Sequence, residues 1–183
     1  IDELRTIPIL KDVDLESIGE RVQCVAKAVG KQAHPFASSG ADATTCNNFL
    51  PYKTFIHGDP KQANIFLRKK DDGELDVGLI DFQWSGFGLA ATDVAHHIAA
   101  ALHGSCLPHE DELLDHYYAC LVDALVDFGV ASSRDEVQER IFPRTVFQSQ
   151  YETAIVDICR MVYAYAWQRL EIEAGPTSAS MNR

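Results

Sequence analysis

Two β-prone runs, NIFLRKK and ELDVGLID, are separated only by KDDGE, and no other feature of the chain limits its folding so tightly. Asp72-Gly73 has the composition of a two-residue hairpin turn. Such a turn sets Asn64 directly across from Asp81 at the open end of the hairpin. Directly opposed side chains have Cβ atoms roughly 4.5–5.5 Å apart, close enough for an amide oxygen and a carboxylate to share one hard cation, with magnesium the natural candidate. Asp59 precedes Asn64 in the loop HGDPKQAN, so a second carboxylate can lie beside the same place without being a ligand.

Around this hairpin the pattern is helical. Residues 14–31, DLESIGERVQCVAKAVGK, place Ile18, Val22, Val25 and Val29 three and four apart behind an Asp14 cap, which predicts an amphipathic helix. Residues 32–48 have no period and read as a flexible loop. Thr92 reads as the cap of a helix to about Leu102. A second helix, from about Glu110 to Phe128, is expected to bury Leu113, Leu114, Tyr117, Leu121 and Leu125 and to end at Gly129. A short helix after Ser132 or Ser133 should stop at Pro143. The long segment 144–173 then sets Phe147, Tyr151, Ile155, Ile158, Val162, Tyr165 and Leu170 on one stripe, and the terminal EAGPTSASMNR reads as frayed. The expected class is α+β, mostly α, with residues 1–50 a leading helix and flexible loop and residues 51–183 the main body.

A length of 183 residues at 46% hydrophobic composition suits a single core. The net charge of −11 repels polyanions, which argues against nucleic acid or an anionic membrane face and leaves a cationic small molecule as the better-matched partner. Five scattered cysteines without a C-x-x-C pair suit a reducing cytoplasmic setting. Even the most apolar stretch, GLAATDVAHHIAAAL, carries Asp93, His96 and His97, so no membrane span is expected. His96, His97, His103, His109 and Cys106 are zinc-type ligands, but adjacent histidines on a helix diverge and the spacing fits no familiar site, so zinc is rejected. The chain opens on Ile1 and not on Met, which reads as the mark of a fragment.

HGDPKQAN, followed by LIDFQ and then by DVA opening a helix, resembles the catalytic loop and metal motif of the protein-kinase-like fold. The closer likeness is to its small-molecule branch, the aminoglycoside phosphotransferases, choline kinases and ecdysteroid-kinase-like proteins, and it covers roughly residues 53–98. The resemblance implies the helical C-terminal lobe of that fold, with a catalytic loop at 57–64 and a metal motif at 81–83. It implies transfer of the γ-phosphoryl group of ATP to a hydroxyl, a reaction that asks mostly for positioning and charge neutralisation. Asp59 would then accept or orient the proton of the attacking hydroxyl, and Asn64 and Asp81 would hold Mg2+ against the ATP phosphates. His57 would fix the loop, Asp93 would accept hydrogen bonds from its backbone amides, and Lys61 would contact the transferred phosphate.

Departures from protein kinases bear on the acceptor. Gly58 stands where they carry the Arg through which a phosphorylated activation segment acts. Only FQWSGFGLAA separates Asp81 from Thr92, too little for a peptide-docking segment. A small-molecule acceptor follows, and HEDELLD at 109–115 with Tyr117, Tyr163 and Trp167 would suit a cationic one. Residues 1–50 hold no Gly-rich phosphate loop and no Val-Ala-x-Lys strand, so the ATP-clamping N-terminal lobe is absent from this chain. That lobe is expected elsewhere in the same protein, and residues 1–183 alone are expected to be inactive or nearly so. Two rival readings are a noncatalytic pseudokinase-like binding module and a metal-dependent hydrolase using His57, Asp59 and Asp81, the latter weakened by the want of a full ligand set.

Overall fold

The computed structural model describes residues 4–6, 8, 11–36 and 48–165. They are mostly helical, with two small antiparallel sheets, an α+β arrangement. Most of the loop expected over 32–48, the helix end beyond Tyr165 with Trp167 and Leu170, the side chains of Tyr163 and Tyr165, and the terminal EAGPTSASMNR lie outside the described residues.

The core is built by helices α2 (Ala90–Ala100), α3 (Glu110–Asp127) and α5 (Arg144–Tyr165). Ala91, Ala95 and Ile98 of α2 are buried with Phe147, Tyr151, Ala154 and Ile158 of α5, both sets at helical spacing. From α3 come Leu114, as expected, with Tyr118 and Val122; Leu113 is exposed, and Tyr117, Leu121 and Leu125 are only half-buried. On α5, Ala154 is buried while Ile155 and Val162 are half-buried. The rings of Tyr118 and Phe142 lie 5.5 and 6.3 Å from that of Phe147, and the Arg144 guanidinium sits 5.1 Å over the Phe147 ring. Burying one such side chain stabilises by about 1.5–3 kcal/mol, against roughly 0–1 kcal/mol for a surface ion pair, so this cluster dominates over the chain's exposed salt bridges.

Helix ends follow local chemistry. Helix α1 (Ile18–Ala33) begins after Asp14, whose carboxylate accepts from the backbone N–H of Glu16 and Ser17 and from the Ser17 hydroxyl. Val25 is 44% exposed, so the inward face of α1 is carried by Val22, Ala26, Val29 and Ala33. Helix α2 starts at Ala90, two residues before Thr92. The one-turn α4 (Arg134–Glu136) is capped by the Ser133 hydroxyl accepting from the Glu136 N–H, and it runs on into a π-helical turn, Val137–Ile141, that ends before Pro143. No helix among the described residues is long and apolar enough to cross a membrane.

Strands β2 (Ile65–Lys69) and β3 (Leu75–Leu79) form the hairpin, but one residue out of the expected register: Ile65 pairs with Leu79 and Lys69 with Leu75. The reason lies in the turn. Lys70 N–H donates to the Glu74 carbonyl, so three residues, Asp71 to Gly73, close the loop, and Gly73 takes the left-handed position (φ 89°) that such a loop needs. Asn64 consequently stands across from Ile80, whose N–H donates to the Asn64 carbonyl at 3.1 Å, and not across from Asp81. The second sheet is not among the expected elements: β1 (Lys53–Ile56) pairs with β4 (Gly86–Leu89), so the stretch between Asp81 and α2 holds a 3-10 turn, Phe82–Trp84, and then a strand.

Candidate active site

Pairing of β1 with β4 brings the chain's return into α2 beside the loop that leaves β1, and this places the first turn of α2 against residues 57–60. The Asp93 carboxylate accepts from the backbone N–H of His57 at 2.7 Å and of Gly58 at 2.9 Å. Both bonds are charge-assisted, which makes Asp93 the strongest tether on the loop. Gly58 has φ 86°, and a Cβ there would lie 2.2 Å from the Trp84 carbonyl oxygen. His57 is buried; its Nε2–H donates to the Ile80 carbonyl at 2.9 Å, while Nδ1 accepts from the Asp59 N–H at 3.2 Å. A carbonyl only accepts and an amide N–H only donates, so these two partners fix the tautomer. One helical turn beyond Asp93, His97 donates from Nδ1 to the Pro60 carbonyl at 3.0 Å.

These restraints hold Asp59, whose side chain is nearly buried. Its Oδ2 accepts from Lys61 Nζ at 2.6 Å and from Asn64 Nδ2 at 3.1 Å. Its Oδ1 accepts no hydrogen bond among the described residues, and His96 Nε2 stands 3.7 Å from it. Asn64, also buried, donates from the same Nδ2 to the Asp59 backbone carbonyl at 2.9 Å. With the nitrogen committed to two oxygens, the amide oxygen of Asn64 is turned away from Asp59.

Asp81 is exposed and lies at φ 63°, ψ 62°, left-handed backbone that a non-glycine residue adopts at a cost. It follows Ile80 directly, so its carboxylate and the Asn64 amide belong to the same end of the hairpin. An amide oxygen and a carboxylate are the hard donors Mg2+ takes, and this ion is ordinarily held by one or two protein oxygens together with substrate phosphates. The donor types fit. Among the described residues there is no cluster of three or more His, Cys, Asp or Glu that could hold a metal. His103 and His109 engage Ser105 and Glu112 instead.

A cleft of about 620 Å3 opens beside Asp59. Its lining includes Asp59, Lys61, His96, Trp84, Phe87 and, from α5, Asp157. Burial works against ionisation of Asp157, yet hydrogen bonds from His34 (2.8 Å) and Arg160 (2.6 and 3.0 Å) hold its carboxyl below the ordinary value. The acidic residues 109–115 are not in the lining. Tyr117 donates its hydroxyl to the Ala90 carbonyl at 2.9 Å; burial, and then the charge of Asp93, push its pKa up to about 12.

The sequence reading weighed His96 and His97 only as metal ligands. Their signal is position: three and four residues after Asp93, they flank it one turn on, His97 reaching the Pro60 carbonyl and His96 standing beside the Asp59 carboxylate. A family model described as the ecdysteroid kinase-like family matches residues 13–130, a span that includes Asp59, Asn64, Asp81 and Asp93. No curated protein and no solved structure matches the chain.

Proposed function

This chain belongs to the ecdysteroid kinase-like family, and on that premise we propose that it is the catalytic and acceptor-binding lobe of an ATP- and Mg2+-dependent phosphotransferase acting on a small-molecule alcohol. The observation that carries this reading is the state of Asp59: one carboxylate oxygen is pinned by Lys61 and Asn64, and the other is left without a hydrogen bond among the described residues, beside the cleft. A base needs one oxygen held and one available. The acceptor oxygen attacks the γ-phosphorus, its proton passes to Asp59 Oδ1, and the bond from the γ-phosphorus to the β–γ bridging oxygen breaks to release ADP. Lys61 keeps a positive charge next to the base and the transferred group. Asn64 and Asp81 are the residues to hold Mg2+, which when bound supplies neutralising charge for the phosphates. His57, Asp93 and His97 act on the loop and not on the substrate.

In this reading the nucleotide clamp comes from further sequence of the same protein, because residues 1–183 carry no Gly-rich phosphate loop. The setting is the cytoplasm, a reading supported by the free state of Cys24, Cys106, Cys120 and Cys159.

The test is Mg2+-dependent ATP consumption by the full-length protein with choline, an aminoglycoside and ecdysone as acceptors. One of them is expected to stimulate turnover, and Asp59→Asn should lower that rate by roughly 10²–10⁴-fold without moving the unfolding midpoint. No stimulation by any alcohol, together with no Mg-ATP binding, would replace this reading by a noncatalytic binding module.

A further inference from the structure

The open oxygen of Asp59 has one polar neighbour that the transfer scheme above does not use. His96 Nε2 stands 3.7 Å from Asp59 Oδ1, beyond hydrogen-bond length, and both side chains line the cleft. The imidazole is about a quarter exposed, so it is presented to the cleft and not sealed in the core. Its position relative to the base is fixed from both sides along α2, by Asp93 on the His57 and Gly58 amides and by His97 on the Pro60 carbonyl.

Two atoms 3.7 Å apart can share a single oxygen atom lying about 2.8 Å from each. We propose that His96 is an acceptor-binding residue, its Nε2–H donating to the hydroxyl oxygen whose own hydrogen points at Asp59 Oδ1. The four directions of that oxygen are then all assigned. One is its bond to carbon, one its hydrogen on the carboxylate, one a lone pair on the imidazole N–H, and the last a lone pair free to attack phosphorus. Asp59 alone leaves the hydroxyl free to swing about one hydrogen bond; the second contact removes that rotation and selects the orientation that reacts. The histidine keeps its proton throughout, so the balance of the transfer is unchanged.

This inference rests on the phosphotransferase reading and deepens it, and the experiment separates the two. The full-length protein is assayed with whichever of choline, kanamycin and ecdysone it phosphorylates fastest, comparing wild type with His96→Leu, His96→Phe and His96→Gln. Both apolar variants should lose on the order of 100-fold in kcat/KM for the alcohol while KM for ATP stays within twofold. His96→Gln, whose amide N–H can reach a similar point, should recover most of the loss. An active wild type with His96→Leu or His96→Phe within twofold of it overturns the role of His96 and leaves the transferase reading standing. Equal loss in all three variants, tracking a fall in Tm, also overturns it, because that is the pattern of a packing residue. If wild type phosphorylates none of the three alcohols, this inference falls, and the transferase reading falls with it where Mg-ATP does not bind either.

Discussion

At Gly58 the backbone and the chemistry make the same demand. Its φ of 86° suits glycine, and its missing Cβ leaves room for the Trp84 carbonyl, while its N–H is one of the two that Asp93 holds. In the sequence alone this position shows only the absence of an arginine; the stronger reason for glycine is steric and depends on the position of Trp84, which no local pattern encodes. Gly58→Ala is expected to destabilise by about 2 kcal/mol or more, a fall in Tm of roughly 4–8 °C for a chain of this size, measured by circular dichroism. A Tm unchanged to within a degree would contradict the steric argument. The nearness of Asp59 and Asn64, by contrast, is legible, because only four residues of loop separate them, although the bond from the amide to the carboxylate is not. Lys61 was legible as a loop lysine, but its contact with Asp59 Oδ2 depends on a side-chain torsion that spacing alone does not set.

At the scale of elements, one hairpin loop, one strand and one helix mark what the pattern reveals and what it does not. The hairpin was readable from KDDGE, yet one residue more in the loop shifts the register and moves Asp81 from opposite Asn64 to the residue beyond the strand. Strand β4 was hidden because Gly86 and Gly88 carry no β-propensity; it exists by pairing with β1, a tertiary effect. Helix α1 was visible from its period, but what docks it was not. His34, at its C-terminal end, and Arg160 both bind Asp157 of α5, a carboxylate only 3% exposed. Because these partners hold Asp157 below its ordinary pKa against the opposing effect of burial, the unfolded chain takes up that proton at a higher pH than the folded one. The contribution is therefore complete above the ordinary carboxylate value, near pH 4, and is lost as pH falls through the lower folded value. Urea midpoints taken from about pH 5 to about pH 3 should fall more steeply for wild type than for Asp157→Asn. Parallel slopes would mean that His34 and Arg160 do not hold the Asp157 carboxyl below its ordinary value in the folded chain.

For the whole molecule, the cleft is made by segments far apart in sequence: His34 at the end of α1, the loop with Asp59, Phe87 of β4, and Asp157 of α5. Composition and periodicity could say that a core exists and which helices share it, but not that these four places converge, since convergence is set by the packing of α5 on both α1 and α2. The same geometry separates two tasks. In the proposed reading, the groups that hold Asp59, together with His96 beside it, lie among the described residues, whereas a loop of backbone N–H groups to grip the triphosphate has no counterpart in the sequence of 183 residues. The net charge of −11 compounds this, because it repels a polyanionic nucleotide that Mg2+ only partly neutralises. Residues 1–183 alone should therefore bind Mg-ATP with a Kd no tighter than about 1 mM, worth roughly −4 kcal/mol, and show no alcohol-stimulated turnover, while the full-length protein does both more strongly. Calorimetric titration of Mg-ATP into each is the measurement. Micromolar binding and turnover by residues 1–183 would show that the hairpin end and Lys61 hold the nucleotide unaided, and the division of labour between this chain and a separate clamp would have to be abandoned.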